Sequence, residues 1–116
     1  MSKDILKLVL TDHWFEEIKS GRKTHEYRKA TPFWLSRILR IPQKFTESLT
    51  PKTGILYAGT PNYVEFQKAY RRNPERMKFR LLSVMTVDGK NTDLKCDGVV
   101  FDIELGERVW VKKSQK

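Results

Sequence analysis

The stretch GRKTHEYRKATPFW, residues 21–34, decides how the rest of the chain is read. Gly21 is placed to end a helix in the C′ position. Residues 24–28, THEYR, then read as a short strand. Side chains at spacing two share a face, so Thr24, Glu26 and Arg28 point one way and His25 and Tyr27 the other. Lys23 sits at the junction, where its long side chain reaches either face. Thr31 and Pro32 restart a helix, with threonine as N-cap and proline at the first helical position. A carboxylate flanked by lysine and arginine stays ionised, because opposite charges favour the charged form. The trio is therefore either an ion-pair patch of little energetic value or a site. In a site, Lys23 and Arg28 hold phosphate or a carbonyl oxygen. Glu26 accepts from an amino group on a base edge or acts as a general base.

Outward from this stretch, ILKLVL (5–10) reads as a buried strand. Thr11 or Asp12 caps the helix that follows, with Trp14, Phe15 and Ile18 as its apolar, core-facing stripe. FWLSRIL (33–39) fills the second helix, pairing Trp34 with Ile38 and Leu35 with Leu39. Residues 42–53 form a loop with two prolines. GILYAG (54–59) reads as a strand closing on a glycine turn. Thr60-Pro61 repeats the cap-plus-proline device, which predicts a helix to about Arg72 with Tyr63, Phe66 and Tyr70 on one face. Lys68, Arg71 and Arg72 then complement its C-terminal dipole, and Asn73-Pro74 stops it. A strand is predicted over 78–87, a turn at Asp88-Gly89, and an alternating strand over VVFDIEL (99–105). That strand places Val99, Phe101, Ile103 and Leu105 on one face. Gly106 breaks it and RVWVK alternates again. The sum is about six strands with short helices, an α+β domain built on a small curled sheet or barrel.

A chain of 116 residues with 39% hydrophobic content fits one globular domain. The single cysteine, Cys96, cannot form an internal disulfide, which suits a reducing, cytoplasmic setting, and it reads as a spare thiol. His13 and His25 are the only histidines and lack partners at ligand spacing, so no metal or other cofactor is expected. No apolar run approaches the roughly 20 residues of a membrane span. The formal charge of +9 is uneven. Residues 19–44 carry eight Lys or Arg against one acid, Glu26, and residues 68–80 carry six against Glu75. Two basic blocks point to an anionic partner, nucleic acid first.

Gly21, Lys23, Glu26 and Arg28 spell G-x-K-x-x-E-x-R. With LKLVL before it, TPFWLSRIL after it and a late VFDIELG strand, the chain resembles the ASCH domain family. The likeness is greatest to small bacterial and phage members, which carry Trp and Arg after the motif, here Trp34 and Arg37. The resemblance implies a single domain over residues 1–116. It implies a PUA-like β-barrel of about six strands with two or three short helices packed around it, and a cleft lined by the motif. It also implies a monomer that binds RNA, single strands or a nucleotide. Candidate binding residues are then Lys23, Glu26, Arg28, Trp34, Arg37 and Tyr57. Trp34 either stacks on a base or packs its helix, and Tyr57 either offers an aromatic face or fills the core. Trp110 is an exposed wall residue or a lesser stacking platform.

Some relatives are hydrolases, acting on RNA or on N-acetylated cytidine. For that alternative Lys23 and Glu26 are the catalytic candidates. The amidohydrolase branch places a nucleophilic threonine three residues after its lysine, where this chain has Glu26, so the acyl-transfer mechanism does not carry over. Phage-type relatives show a segment like F-x-N-G-Y near residues 57–60, of which Gly59 persists, with Ala58 and Thr60 on either side of it.

Overall fold

The computed structural model describes residues 4–58 and 60–113. It is an α+β fold: a five-stranded mixed sheet with two α-helices. The elements are β1 (Ile5–Leu10), α1 (Asp12–Lys19), β2 (His25–Lys29), α2 (Pro32–Leu39), β3 (Tyr63–Lys68), β4 (Arg76–Asp88) and β5 (Val99–Lys112). The sheet order is β1-β3-β4-β5-β2. β1 runs parallel to β3, and the other pairings are antiparallel.

Residues 5–39 fold as their local signals dictate. β1 buries Leu6, Leu8 and Leu10 and turns Lys7 outward, the period of a strand with one covered face. α1 carries Phe15 and Ile18 into the core and ends at Ser20, with Gly21 at φ 86° beyond it. That left-handed turn is cheap only for glycine. Thr31 caps α2 by accepting from the Trp34 amide at 3.4 Å, with Pro32 at the first helical position. The two helices lay Phe15, Ile18, Leu35 and Ile38 onto a core built from Val64, Phe66, Met77, Phe79, Val84, Phe101 and Ile103.

The predicted helix over residues 60–72 is instead β3. Val64 and Phe66 are buried while Tyr63, Glu65 and Gln67 are half-exposed, a period of two. A strand here supplies backbone partners to β1 on one side and β4 on the other, Ile5 opposite Tyr63 and Tyr63 opposite Arg80. Those two ladders outweigh the local cap-plus-proline signal. Ala69 and Asn73 then take positive φ and turn the chain into β4. Lys68, Arg71 and Arg72 consequently have no helix dipole to complement.

GILYAG is likewise no regular strand. Leu56 makes an isolated bridge to Met85, and the Gly54 and Tyr57 amides donate to Thr86 and Val84 carbonyls at 2.7 and 2.9 Å. Gly59 lies outside the described residues. The predicted break at Gly106 is absent too, since β5 runs through it to Lys112. Pairing with β4 shifts register around Phe79–Ser83, opposite this point. A Cβ on Gly106 would meet Leu82 at 2.8 Å, so the glycine marks a close approach of two strands rather than a stop. Among the described residues five strands therefore stand where the sequence suggests about six. Beyond α2, Thr46 is buried and its hydroxyl donates to the Pro32 and Gln43 carbonyls, tying the loop to the helix.

The sheet curls. β1 and β2 are its two edges, yet Arg28 on β2 donates from Nη2 to the Val9 carbonyl of β1 at 3.1 Å. The seam between these edges is where the motif lies.

Candidate functional site

β2 pairs with β5 so that Glu26 stands opposite Ile103 and Arg28 opposite Phe101, both core residues. The register turns the acid and the arginine inward, as spacing two predicts, and sends His25 and Tyr27 to the other face, although at the open edge of β2 the Tyr27 ring still comes within 5.1 Å of Lys23 Nζ. Glu26 is only 6% exposed. Its Oε2 is ion-paired with Arg28, and its Oε1 lies 3.3 Å from Lys23 Nζ. Arg28 also donates to the Tyr27 carbonyl at 2.8 Å and stands 5.5 Å from the Trp34 ring centroid. Glu26 is buried and Lys23 and Arg28 are half-buried, and among the described residues no buried side-chain polar atom lacks a hydrogen-bond partner.

A cleft of about 200 Å³ opens beside the trio, between the end of β1 and β2. Lys23, Glu26, Tyr27 and Arg28 form one wall, and Val9, Leu10, Thr11 and Trp14 another, with Asp93 and Leu94 covering them from the β4–β5 connection. Lys23 Nζ lies 4.4 Å from the Trp14 ring centroid and 5.1 Å from that of Tyr27, and it is ion-paired with Asp93. Two cations, Lys23 and Arg28, thus face two carboxylates, Glu26 and Asp93, and the formal charges inside the cleft cancel. Thr11 makes no side-chain cap bond, so its hydroxyl is not committed to α1. Burial first, then the nearby carboxylates of Asp102, Asp93 and Glu26, push the Tyr27 phenol above its ordinary value.

The other candidates lie elsewhere. Trp34 reaches the site through Arg28 and otherwise packs edge-on against Phe33 at 4.9 Å. Arg37 covers the Phe33 ring at 4.0 Å and lines a separate groove of about 900 Å³ between β1 and the end of α2. Tyr57 packs edge-on to Phe101 at 5.6 Å and lines a small hollow with Leu35 and Leu39. Trp110 is half-buried beside Glu65 and Arg76. Lys23, Glu26 and Arg28 converge, whereas Arg37 and Tyr57 do not join them.

Two cleft residues escape the sequence reading. Trp14, assigned there to the core, is 36% exposed. On an eight-residue helix only Phe15 and Ile18, at i and i+3, face the sheet, and Trp14 is turned toward the cleft. Asp93 lies 70 residues from Lys23, and no local pattern announces it. Outside the cleft, His25 Nδ1 and Asp102 Oδ1 pair at 2.6 Å on the outer face of β2 and β5, and His25 stacks on Tyr27.

Much of the basic character is internally paired. Lys68 meets Glu16 at 2.6 Å, Lys19 meets Glu75 at 2.6 Å, Arg71 meets Asp12 at 2.8 Å, and Arg76 meets Glu65 at 3.4 Å. The hydrogen bond from Lys68 holds the Glu16 carboxyl below its usual range, and the same contact raises Lys68. Among the described residues no group of His, Cys, Asp and Glu side chains is placed to hold a metal ion. Among them, too, no helix is long and apolar enough to cross a membrane. No family model, curated protein or solved structure matches this chain.

Proposed function

We propose that this chain is an ASCH-type module whose curled sheet acts as a PUA-like barrel, and that it binds single-stranded RNA or a nucleotide by taking one base into the seam cleft. The observation that carries this reading is the convergence of Lys23, Glu26 and Arg28 with the rings of Trp14 and Tyr27 around one small cavity. A base offers two π faces and an edge of donors and acceptors. The cleft offers aromatic faces, charged donors and charged acceptors, with a formal charge that sums to zero. That balance suits a base better than a phosphate, which needs a net positive pocket. The volume of about 200 Å³ is below the roughly 300–1,000 Å³ of ordinary small-molecule pockets, so it admits one base and not a folded oligomer. The sugar–phosphate chain then runs along the basic surface outside. Catalysis by Glu26 as general base is the weaker reading, because both of its carboxylate oxygens are occupied by cations.

The test is an NMR titration with mononucleotides and short single-stranded RNA, repeated across a salt series. Shifts should cluster at residues 9–14, 23–28 and 93–94, and RNA affinity should fall as salt rises. Shifts confined to other surfaces, or an affinity indifferent to salt, would refute the proposal.

A further inference from the structure

The ammonium of Lys23 already fills the space that a base would take. Its Nζ lies over both the Trp14 and the Tyr27 rings, at 4.4 and 5.1 Å from their centroids, with Asp93 ion-paired to it and Glu26 Oε1 at 3.3 Å. Two π faces and two carboxylates around one point form a cage for positive charge. The cage is shut by its own side chain. Lys23 hangs from the junction of α1 and β2 on a flexible four-carbon stem, so it can swing out with the backbone fixed. Arg28 cannot do the same, since it is tied to Glu26, the Tyr27 carbonyl and the Val9 carbonyl.

A base can take this position against the rings only after the ammonium has left. Its departure has an electrostatic consequence. Glu26 keeps Arg28 as partner, but Asp93 loses the ion pair it makes with Lys23. The cleft then changes from neutral to a net charge of minus one. An occupant that carries its own positive charge restores the balance and regains both cation–π contacts. A neutral base regains stacking alone, and a phosphate is repelled. We propose that the cleft selects a nucleobase with a fixed positive charge, as a purine nucleoside further alkylated at N7 carries in its imidazole ring, and that Lys23 is the resident cation this base displaces. This rests on the base-binding reading above and names the ligand class for the same site. The freed ammonium is then available to the phosphate attached to the bound nucleoside.

The experiment titrates isotope-labelled protein, at a pH below neutral where 7-methylguanosine keeps its N1 proton and its net positive charge, with guanosine, with 7-methylguanosine and with a short unmodified single-stranded RNA, for the native chain and for Lys23→Met. The expected result is that 7-methylguanosine binds about ten-fold more tightly than guanosine, the scale of a desolvated cation–π contact, with shifts at Trp14, Tyr27 and Asp93. Lys23→Met keeps the apolar stem and removes the competing charge. It should bind 7-methylguanosine several-fold more tightly than the native chain, because the plugged state no longer subtracts from the binding-competent population. Equal affinity for the two nucleosides, or weaker binding by Lys23→Met, overturns the inference. If neither nucleoside binds while the RNA shifts the cleft, the inference falls and the base-binding reading stands. If neither nucleoside nor RNA shifts the cleft, both fall. The ratio measured on the native chain decides the matter even if the variant does not fold.

Discussion

Glu26→Gln tests whether the buried trio is a structural unit. The native carboxylate is 6% exposed and holds two cations, Arg28 and Lys23, whose side chains are 18% and 10% exposed. Removing one partner of a buried ion pair costs about 3–5 kcal/mol when the remaining charge is orphaned. Here neither cation is orphaned. Arg28 retains the Tyr27 and Val9 carbonyls, and Lys23 retains Asp93. Glutamine also keeps an acceptor oxygen in place. The expected loss is therefore below that range, about 2 kcal/mol. Unfolding entropy near the midpoint is about 2.1 cal/mol/K per residue, which for 116 residues gives about 0.24 kcal/mol/K. A loss of 2 kcal/mol then lowers Tm by about 8 °C. Thermal unfolding followed by circular dichroism reads this shift. The double variant Glu26→Gln with Arg28→Met should recover part of it, since the single variant leaves a guanidinium hydrogen-bonded to carbonyls but without its counter-ion, and the cycle should return a coupling of about 1–3 kcal/mol. A Tm change within about 1 °C of native, or a double variant whose loss is the simple sum, would refute the buried pairing.

Trp14 and Phe15 are neighbours in sequence with opposite roles, and alanine substitution should separate them. Phe15→Ala opens a hole in the core and costs about 3–5 kcal/mol by denaturant unfolding, whereas Trp14→Ala stays within about 1 kcal/mol yet weakens RNA binding by the 1–3 kcal/mol of a lost stacking face. The Glu16–Lys68 contact predicts an acid limb. A carboxyl held below its unfolded value contributes stability above the unfolded pKa and loses it as pH falls through the folded one, so Glu16→Gln should flatten the pH dependence of stability below about pH 4.5. Glu16's side chain is 46% exposed, which keeps the effect under about 1 kcal/mol. A native and a variant curve that run parallel through that window would count against it.

The sequence is legible beyond residue 76, where β4 and β5 cover the strands expected over 78–87 and 99–105, as it is up to about residue 40. Up to there each element carries a local signal that no distant partner contradicts: alternation in ILKLVL, Gly21 at a left-handed position, Thr31-Pro32 at a helix start. β3 is illegible for a physical reason. Tyr63, Phe66 and Tyr70 satisfy a helical spacing, while Val64 and Phe66 satisfy a strand spacing, and the choice is made by the backbone groups of β1 and β4 that need partners. Gly106 fails differently, because a glycine marks a close approach as readily as an end. In the site, period two alone places Glu26 and Arg28 on the inner face. Asp93 is invisible because loop closure, not periodicity, brings it to Lys23. Trp14 is misplaced because helical spacing gives a stripe without saying how wide the covered part is.

The charge distribution also reads differently once the pairs are known. A net charge of +9 survives internal pairing, since each ion pair cancels an acid already counted. At a distance the protein therefore presents a positive field that draws polyanions toward it. At contact range the picture changes, because Lys19, Arg22, Lys23, Arg28, Lys68, Arg71 and Arg76 each already hold a carboxylate. A phosphate must compete with those carboxylates for the same cations. The number of phosphates engaged should then be far smaller than the number of basic residues, and the salt dependence correspondingly shallow, at about 0.7 in log–log slope for each phosphate on a single strand. Long-range attraction and local selection are thus assigned to different parts of the molecule. On the proposed reading, the surface would recruit a polyanion without regard to sequence, and the aromatic seam cleft would discriminate among bases.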